Sequence, residues 1–420
     1  MKQKLMLGLS LCLGIFTTMQ AFAEEAAAPA PEWASLHAGF ANLDKLTERL
    51  SDPQDPQQRA ELFQYLYAGA SQGYLGVVFG DIDHPQFYPA FAPAFNFMGP
   101  NPDNVYYMTP IDDKGVYKIS GYRGTVHLID FNLASGQLLA RGTGRLEKTK
   151  ANYDIDASAH FKKDGAFEVI MSAERPKDYK GDWWPLVSGT TVLFVRELSY
   201  EPLKEVDGRI TIERLDRPAI KPRQTAEQIM DNLKMVSQWT ENWVKFDFDW
   251  QKRLVDQGLV NKVVARNIND VGGFTTQIYV EGTFDIGPDE ALIFETVIPK
   301  KCRYWNVQLT DEKFAAIDIL NRQTWLNGRS AKLDRDGKFR AVISAKDPGV
   351  PNWLDTAGYR KGEILGRWNT CDSAPNPMVT KVNVADVRKS LPVDTPVVST
   401  EARDDSIRLQ RKGLQLRRRW

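Results

Sequence analysis

The chain has 420 residues, of which 42% are hydrophobic, and its 54 basic residues balance its 54 acidic residues. A chain of this length is typical of two or three domains of about 150 residues each. The balanced charge excludes the strongly basic surface that nucleic-acid binding requires, so no nucleic-acid partner is predicted.

The first residues have the pattern of a secretory signal peptide. Lys2 and Lys4 precede the apolar run 5–16, and residues 21–23 (AFA) have the small side chains of a cleavage site. We therefore expect cleavage after Ala23 and an exported mature protein, periplasmic or secreted. The apolar run is too short to span a bilayer, and no later run is longer, so no transmembrane segment is predicted.

Two helical regions are predicted. In the N-terminal region, residues 43–79 have a helical pattern, with an apolar face that repeats every four residues. Further along, Thr225 and Gln228 have the spacing of a capping box that starts a helix. One face of that helix carries Ile229, Leu233, Val236, Thr240 and Trp243.

From residue 105 onwards the hydrophobic period changes to two, which indicates strands separated by turn residues. The segments with this pattern are 116–119, 125–131, 166–173, 190–197 and 209–214, then 275–283, 291–298, 304–309, 338–345 and 363–368. Short strands at such intervals are typical of β-sandwiches.

A repeat links the two groups of strands. Residues 164–176 read DGAFEVIMSAERP and residues 336–348 read DGKFRAVISAKDP. Each repeat leads into a tryptophan, a glycine and an arginine: Trp184, Gly189 and Arg196, then Trp353, Gly358 and Arg367. The side chains of Phe167, Val169, Met171 and Ala173, and of Phe339, Ala341, Ile343 and Ala345, would point inward. The repeat predicts a duplicated unit, with the repeated strands as scaffold and the loops as the place of function.

The predicted fold is mainly β, with two jelly-roll-like β-sandwich units, an N-terminal helical segment and an inter-unit helix. The predicted divisions are a signal peptide (1–23), a leader with the helical segment (24–100), the first sandwich (101–222), a helical connection (223–262), the second sandwich (263–400) and a basic tail (401–420). Alternating Ile407, Leu409, Leu414 and Leu416 could make the tail a hairpin; it could also be a basic arm or a docked terminus.

The second unit resembles a known family. Residues 303–330 (RYWNVQLTDEKFAAIDILNRQTWLNGRS) are followed by Asp336-Gly337, DPG at 347–349 and NWL at 352–354. This order is similar to the exported bacterial domain of unknown function 1214, often accompanied by domain 1254, and the match covers roughly residues 265–368. The resemblance implies a β-sandwich, jelly-roll-like architecture and no established reaction.

Aromatic residues give the main prediction of a ligand site. Tryptophans at the mouth of a sandwich can stack on a sugar or an aromatic ring while polar neighbours fix its edge. The predicted ligand-binding residues are Asn104, Tyr106, Trp183, Trp184, Trp305, Asn352 and Trp353. The alternative is that the indoles fill the ends of the sandwich cores, because tryptophan is usually buried.

Acid–base candidates are fewer. His127 could act as a general base or be a core histidine, and Asp83 and His84 could take part in catalysis. The pattern G-x-S-x-G at 69–73 follows a helical segment rather than a strand, which favours helix packing over a nucleophile elbow. Clusters of Asp and His at 81–84 and 154–160 lack a complete ligand set, so neither a metal nor a cofactor is predicted.

Cys302 and Cys371 are the cysteines of the mature chain. In an oxidising compartment they could form a disulfide, and otherwise they would be small buried side chains. The function predicted first is binding of a small molecule or glycan at a tryptophan-lined cleft. The alternatives are a hydrolase or lyase that uses His127 or the Asp/His clusters, and a structural or interaction protein of the cell envelope.

Overall fold

A computed structural model describes residues 31–136, 146–271 and 273–417, and the predicted signal peptide lies outside them. The described chain contains eighteen strands in four sheets, together with five α-helices. The predicted mainly β fold with two sandwich-like halves is therefore confirmed. None of the helices in the described residues has both the length and the apolar composition to cross a bilayer.

Helices are concentrated at the N-terminus, between the halves and at the C-terminus. The α-helices are α1 (Pro31–Ala38), α2 (Pro56–Gly73), α3 (Ile155–Ser158), α4 (Ala226–Asp256) and α5 (Thr400–Leu416). A π-helical turn, Tyr74–Phe79, continues α2, and short 3-10 turns occupy Leu43–Arg49, Pro93–Phe95, Asn269–Val271 and Val384–Ser390.

The strands divide into two groups of nine. The first half contains β1 (Tyr88–Pro89), β2 (Asn104–Pro110), β3 (Tyr117–Tyr122), β4 (Leu128–Gly136), β5 (Leu146–Asp154), β6 (Ala166–Ser172), β7 (Asp182–Pro185), β8 (Val192–Leu198) and β9 (Arg209–Arg214). The second half contains β10 (Val264–Arg266), β11 (Gln277–Asp285), β12 (Glu290–Val297), β13 (Cys302–Asp311), β14 (Trp325–Asn327), β15 (Lys338–Ser344), β16 (Trp353–Asp355), β17 (Lys361–Cys371) and β18 (Met378–Asn383).

The two halves have the same sheet topology. The large sheets have the orders β1-β2-β8-β4-β5 and β10-β11-β17-β13-β14, and the small sheets have the orders β7-β6-β3-β9 and β16-β15-β12-β18. Adding nine to each strand number of the first half gives the order in the second half. The single parallel pairings also correspond, since β7 pairs with β6 and β16 with β15.

In each half a large and a small sheet enclose a hydrophobic core. The inward side chains of β6, Phe167, Val169 and Met171, pack in one core, and those of β15, Phe339, Ala341 and Ile343, pack in the other. The predicted inward faces are thus confirmed over these positions. Ala173 is an exception: it is exposed because β6 ends at Ser172.

The repeated sequences have the same local structure. Gly165 and Gly337 have φ angles of 80° and 77°, in the left-handed region that glycine enters readily, so each Asp-Gly makes the turn into its strand. After the strands, the indole Nε1 of Trp183 donates to Ser172 Oγ over 3.0 Å, and that of Trp353 donates to Ser344 Oγ over 3.1 Å. The structural equivalent of Trp353 is therefore Trp183 rather than Trp184.

Helix α4 connects the halves and packs against α2. The predicted capping box is confirmed: Thr225 and Gln228 each bond the backbone N–H of the other. The buried face begins at Asn232 and its first buried apolar residue is Val236, whereas Ile229 is exposed, contrary to the prediction. A Cβ atom on Gly73 of α2 would lie 3.0 Å from the Trp239 ring. The G-x-S-x-G segment is thus a packing face of a helix, as its context indicated.

The basic tail forms helix α5, so of the alternatives for the tail the hairpin is wrong. The alternation of its leucines is overridden by a helix in which Leu414 is buried against the second half. Arg403 bonds the Val350 carbonyl and pairs with Asp347 at 3.0 Å. Two of the basic side chains, Arg403 and Arg417, are therefore used to dock the terminus.

Candidate functional site

A cavity of about 140 Å³ lies where the two large sheets meet helix α4. Strands β2, β4 and β8 supply one side of it, and β11 and β17 supply another. Its apolar lining consists of Phe91, Met98, Gly99, Pro100, Met108, Ala134, Val192, Phe194, Phe246, Trp250, Ile268, Gly273, Phe314 and Leu365, and its polar lining consists of Asn104, Tyr106, Asn132, Arg196, Gln277, Tyr279, Glu281 and Arg367.

The same pair of residues enters the cavity from each half. In the first large sheet Tyr106 of β2 lies opposite Arg196 of β8, and in the second Tyr279 of β11 lies opposite Arg367 of β17. Because strands β2 and β8 correspond to β11 and β17, the two Tyr–Arg pairs occupy equivalent positions. The cavity is thus walled by equivalent faces of the two halves.

Arg367 is held firmly by hydrogen bonds. Its side chain is 6% exposed. Its Nη1 donates to Gln308 Oε1 over 2.8 Å, and its Nη2 donates to the Gly99 carbonyl over 3.3 Å. All of these acceptors are uncharged, so the partners position the guanidinium without neutralising it.

Arg196 is held by aromatic rings instead. Its guanidinium carbon lies 4.2 Å from the ring centre of Phe194 and 3.8 Å from that of Phe274, and its buried Nη1 has no hydrogen-bond partner. Burial lowers the pKa of Arg196, and the charge of Arg367 also lowers it. Arginine nevertheless stays protonated in proteins, so the cavity wall carries this charge.

Glu281 also lines the cavity but has cationic partners of its own. It forms a close ion pair with Arg266, and a second with Arg253 at 3.7 Å. Burial raises the pKa of Glu281, and burial raises that of the nearby Glu363 well above its usual range. Neither carboxyl forms an ion pair with the cavity arginines, and within the described chain no other carboxylate does so.

Asp130 is the cross-strand neighbour of Arg196 on β4. Its Oδ1 accepts a hydrogen bond of 2.8 Å from Asn152 Nδ2, so it faces that amide rather than pairing with the guanidinium. Burial raises the pKa of Asp130 to about 6, although the hydrogen bond and the charge of Arg196 both lower it. Asp130 therefore offsets part of the charge of Arg196 from a distance.

Two of the predicted ligand-binding residues line this cavity. Asn104 and Tyr106 lie side by side, and Asn104 Nδ2 donates to the Tyr106 hydroxyl over 3.1 Å. The others belong to the scaffold: Trp184 and Trp305 are in the sandwich cores, Trp353 is buried beside the second core, Trp183 bonds Ser172, and Asn352 bonds the backbone at Lys332 and Arg340. The cavity is not the tryptophan-lined cleft that the sequence predicted, although Trp250 contributes to it.

The predicted acid–base residues lie outside the cavity lining. His127 precedes β4, with its Nε2 2.7 Å from the Arg303 carbonyl oxygen and its ring against Tyr200. Asp83 pairs with Arg214 and Arg217, and His84 Nε2 lies 3.0 Å from the Pro218 carbonyl oxygen. In residues 31–136, 146–271 and 273–417, no group of three or more His, Cys, Asp or Glu side chains could hold a metal ion.

A wider groove beside α2 has a volume of about 1320 Å³ and a lining rich in polar side chains. Its buried cation Lys313 is paired with Asp311 at 2.7 Å and with Glu61 at 3.2 Å. The buried charge of Lys313 is thus already compensated, unlike the charges of Arg196 and Arg367 in the cavity.

Cys302 and Cys371 lie opposite each other on β13 and β17 and form a disulfide. The bond joins the ends of two strands in the large sheet of the second half. Arg367, four residues before Cys371 on β17, belongs to the same pair of strands.

The sequence alone pointed to Arg196 and Arg367 as members of the repeat but not as site residues. Both follow the repeated Asp-Gly strand, after a tryptophan and a glycine, and this position was interpreted as scaffold. The available signal was a charged residue in the middle of an otherwise apolar strand, as in VLFVREL at 192–198. A buried strand carries such a charge at a cost, which is a reason to suspect function.

The comparisons with known proteins give a family match and a solved structure with this fold. Residues 285–367 match the family described as protein of unknown function (DUF1214), which confirms the resemblance in the second half. An uncharacterized protein from Burkholderia cenocepacia is 27% identical, with a TM-score of 0.77 over 84% of this chain and 97% of that one. The VPA0106 protein from Vibrio parahaemolyticus is 15% identical, with a TM-score of 0.45 over 76% of this chain and 99% of that one. No curated protein matches the chain.

Proposed function

We propose that the protein binds a small molecule in the cavity between its two large sheets. The observation that carries this proposal is that both halves contribute an equivalent Tyr–Arg pair to one largely apolar cavity. Apolar pockets with a few convergent polar groups are the usual form of small-molecule sites. A cavity of about 140 Å³ has room for roughly five water molecules, at about 30 Å³ for each, so the ligand is small.

Ligand binding can be followed through Trp250, because its indole lines the cavity. A panel of small acids, amides, alcohols and sugars is titrated while tryptophan fluorescence and the melting temperature are recorded. We expect at least one class to raise the melting temperature, since a ligand that binds only the folded state stabilises it.

A cavity-filling variant makes the test specific. Ala134→Leu adds three carbon atoms to the cavity wall and should weaken binding at least tenfold. Val297→Phe, at an exposed position of β12, is the matched control and should bind like the parent protein. If no compound binds, or if Ala134→Leu binds as well as the control, the cavity is not the ligand site.

We further propose that the protein is exported and that Ala23 is its last signal-peptide residue. The basic and apolar pattern of residues 2–16 supports this, and so does the disulfide, because disulfides persist in oxidising compartments. Cell fractionation and N-terminal sequencing of the mature protein test it. Recovery of the uncleaved chain from the cytoplasm would contradict it.

We infer that the two halves arose by duplication of one sandwich. Identical strand orders, the repeated sequences at 164–176 and 336–348, and equivalent indole–serine hydrogen bonds support this. Homologous chains provide the test. In each homologous chain, the sequence of the first half should align with that of the second half in the register seen here, and should do so more often than shuffled sequences do. If shuffled sequences align as often, the inference is wrong.

A further inference from the structure

We propose that the cavity is a carboxylate site, in which Arg196 and Arg367 hold the anionic end of a small aromatic or aliphatic acid. This inference rests on the proposed function, since it names the class of ligand for the same cavity.

The charges around the cavity are the first argument. Arg196 and Arg367 are close enough that each feels the charge of the other, and among the described residues neither has a carboxylate in an ion pair. Glu281, the carboxylate in the lining, is taken by Arg266 and Arg253. Enclosed cations without a counter-ion are costly in a folded protein, so an anion that enters the cavity is strongly favoured.

The number of charges favours a carboxylate over a phosphate. Two guanidinium groups line the cavity, and Asp130 offsets part of the charge of Arg196 although it faces Asn152. About one negative charge remains to be supplied, which is the charge of a single carboxylate. A phosphate group carries nearly two negative charges, which is more than the one charge that remains to be supplied.

The geometry of the two arginines is the second argument. Rings of Phe194 and Phe274 stack on Arg196, so its hydrogen bonds must be made along the edge of the guanidinium plane. The planar fork of an arginine matches the two oxygens of a carboxylate. Arg367 is already oriented by Gln308 and Gly99, so its position does not need to be fixed at the moment of binding.

The remaining lining determines the other end of the ligand. Apart from the polar groups named above, the cavity is walled by Phe91, Met108, Val192, Phe246 and Phe314. Such a surface suits a phenyl ring or a short alkyl chain rather than the many hydroxyl groups of a glycan. The expected ligand is an acid whose apolar part is about the size of a benzene ring, since a cavity of about 150 Å³ holds benzene.

The test compares acids with neutral molecules of the same shape. Benzoate and hexanoate, with benzamide and hexanamide as their neutral counterparts, are titrated by calorimetry at constant ionic strength. We expect the acids to bind the parent protein at least tenfold more tightly than the amides. Equal binding of acids and amides would overturn the carboxylate inference while leaving the small-molecule function intact.

Variants of the two arginines give the second comparison. Arg196→Gln and Arg367→Gln should each weaken acid binding at least tenfold and change amide binding less than threefold. Arg196→Lys, which keeps the charge but not the fork, should fall between the parent and Arg196→Gln. Arg209→Gln is the matched control, because Arg209 stacks on Tyr122 at an exposed position and should bind like the parent.

Folding of each variant is checked by circular dichroism and by its melting temperature without ligand. Because Arg196 has no counter-ion in an ion pair, Arg196→Gln should melt no lower than the parent, whereas loss of a purely structural arginine would lower the melting temperature. If both glutamine variants bind the acids as the parent does, the arginines do not hold the carboxylate and the inference is wrong. If none of the broader panel binds either, the proposed function fails with it.

Discussion

The two halves of the molecule are alike in their scaffold and differ on the face that meets the cavity. The cores, the Asp-Gly turns and the Tyr–Arg pairs correspond strand by strand. Around the arginines the halves diverge, because Asp130 is the cross-strand neighbour of Arg196 on β4, and Asn306 holds the same position beside Arg367 on β13. The same register places Met108 in the first half where Glu281 stands in the second.

This difference teaches how one scaffold provides two kinds of arginine. In the second half, the amide oxygen of Gln308 fixes Arg367 directly. In the first half, Asn132 stands at the position of Gln308 and bonds Thr149 instead, at 3.3 Å, so Arg196 is left to its aromatic neighbours. One arginine is anchored and the other is open to a partner.

The largest effect on stability is expected from substituting the two equivalent tryptophans, Trp353 and Trp183, because they are buried to different extents. Trp353 is 7% exposed and packs near Arg403 of α5, whereas Trp183 is half-buried. We expect Trp353→Ala to lower the free energy of unfolding by about 3–5 kcal/mol, because it leaves a cavity as well as losing apolar burial. Trp183→Ala should cost about 1–2 kcal/mol, mainly for Ser172, which loses its hydrogen bond.

Urea denaturation followed by circular dichroism measures both values. Phenylalanine at each position serves as the control, since it restores most of the apolar volume but not the indole N–H. Equal losses of unfolding free energy for the two alanine variants would show that the deeper burial of Trp353 contributes no more to stability than the partial burial of Trp183.

The sequence predicted the scaffold better than the site, for a physical reason. All ten segments with alternating hydrophobicity correspond to strands, because each buries one face against a core. The short strands β1, β7, β10, β14 and β16 have two to four residues, too few for a period to show. The cavity depends on which faces of two distant sheets meet α4, and no local pattern encodes that.

The tryptophans were assigned to a site because large aromatic residues suit both ligands and cores. Burial decides between these roles: Trp184 is 1% exposed, in the first sandwich core. The two arginines were set aside because they belong to the repeat. A repeat identifies scaffold positions, but a charge at the same place in both halves, inside a buried sheet, is not needed to form an apolar core.

The disulfide is the next largest difference between the halves, since the second half alone has one among the described residues. Cys302 and Cys371 are 69 residues apart, so the bond closes a long loop of the unfolded chain. We expect the double variant Cys302→Ala, Cys371→Ala to lose about 2–4 kcal/mol of unfolding free energy.

Thermal unfolding with and without a reductant gives the matching measurement. A reductant should lower the melting temperature of the parent protein and leave that of the double variant unchanged. Titration of the free thiols verifies that the disulfide has been reduced. If the melting temperature of the parent protein is then unchanged, the disulfide does not stabilise the second half.

The smallest effect on stability is expected from replacing the carboxylate beside Arg196 with the amide that stands beside Arg367. Asp130→Asn gives β4 the amide that Asn306 provides in β13, and an asparagine oxygen can still accept the hydrogen bond from Asn152. Because burial raises the pKa of Asp130 to about 6, the folded protein binds this proton more tightly than the unfolded chain does. The stability gained by protonating Asp130 is therefore complete below the pKa of the unfolded chain, about 4. It is lost as the pH rises through about 6, the pKa in the folded protein.

The variant should accordingly lose less stability than the parent between pH 4 and pH 7, with a difference of about 2–3 kcal/mol, because the pKa is raised by about two units. Urea midpoints at several pH values measure this, and Asp164→Asn, on an exposed turn, serves as the control. Parallel pH profiles for the parent and Asp130→Asn would mean that Asp130 titrates normally. The Asn152 hydrogen bond and the charge of Arg196 would then fully balance the burial of Asp130, so Arg196 would already have an effective partner instead of being open to one.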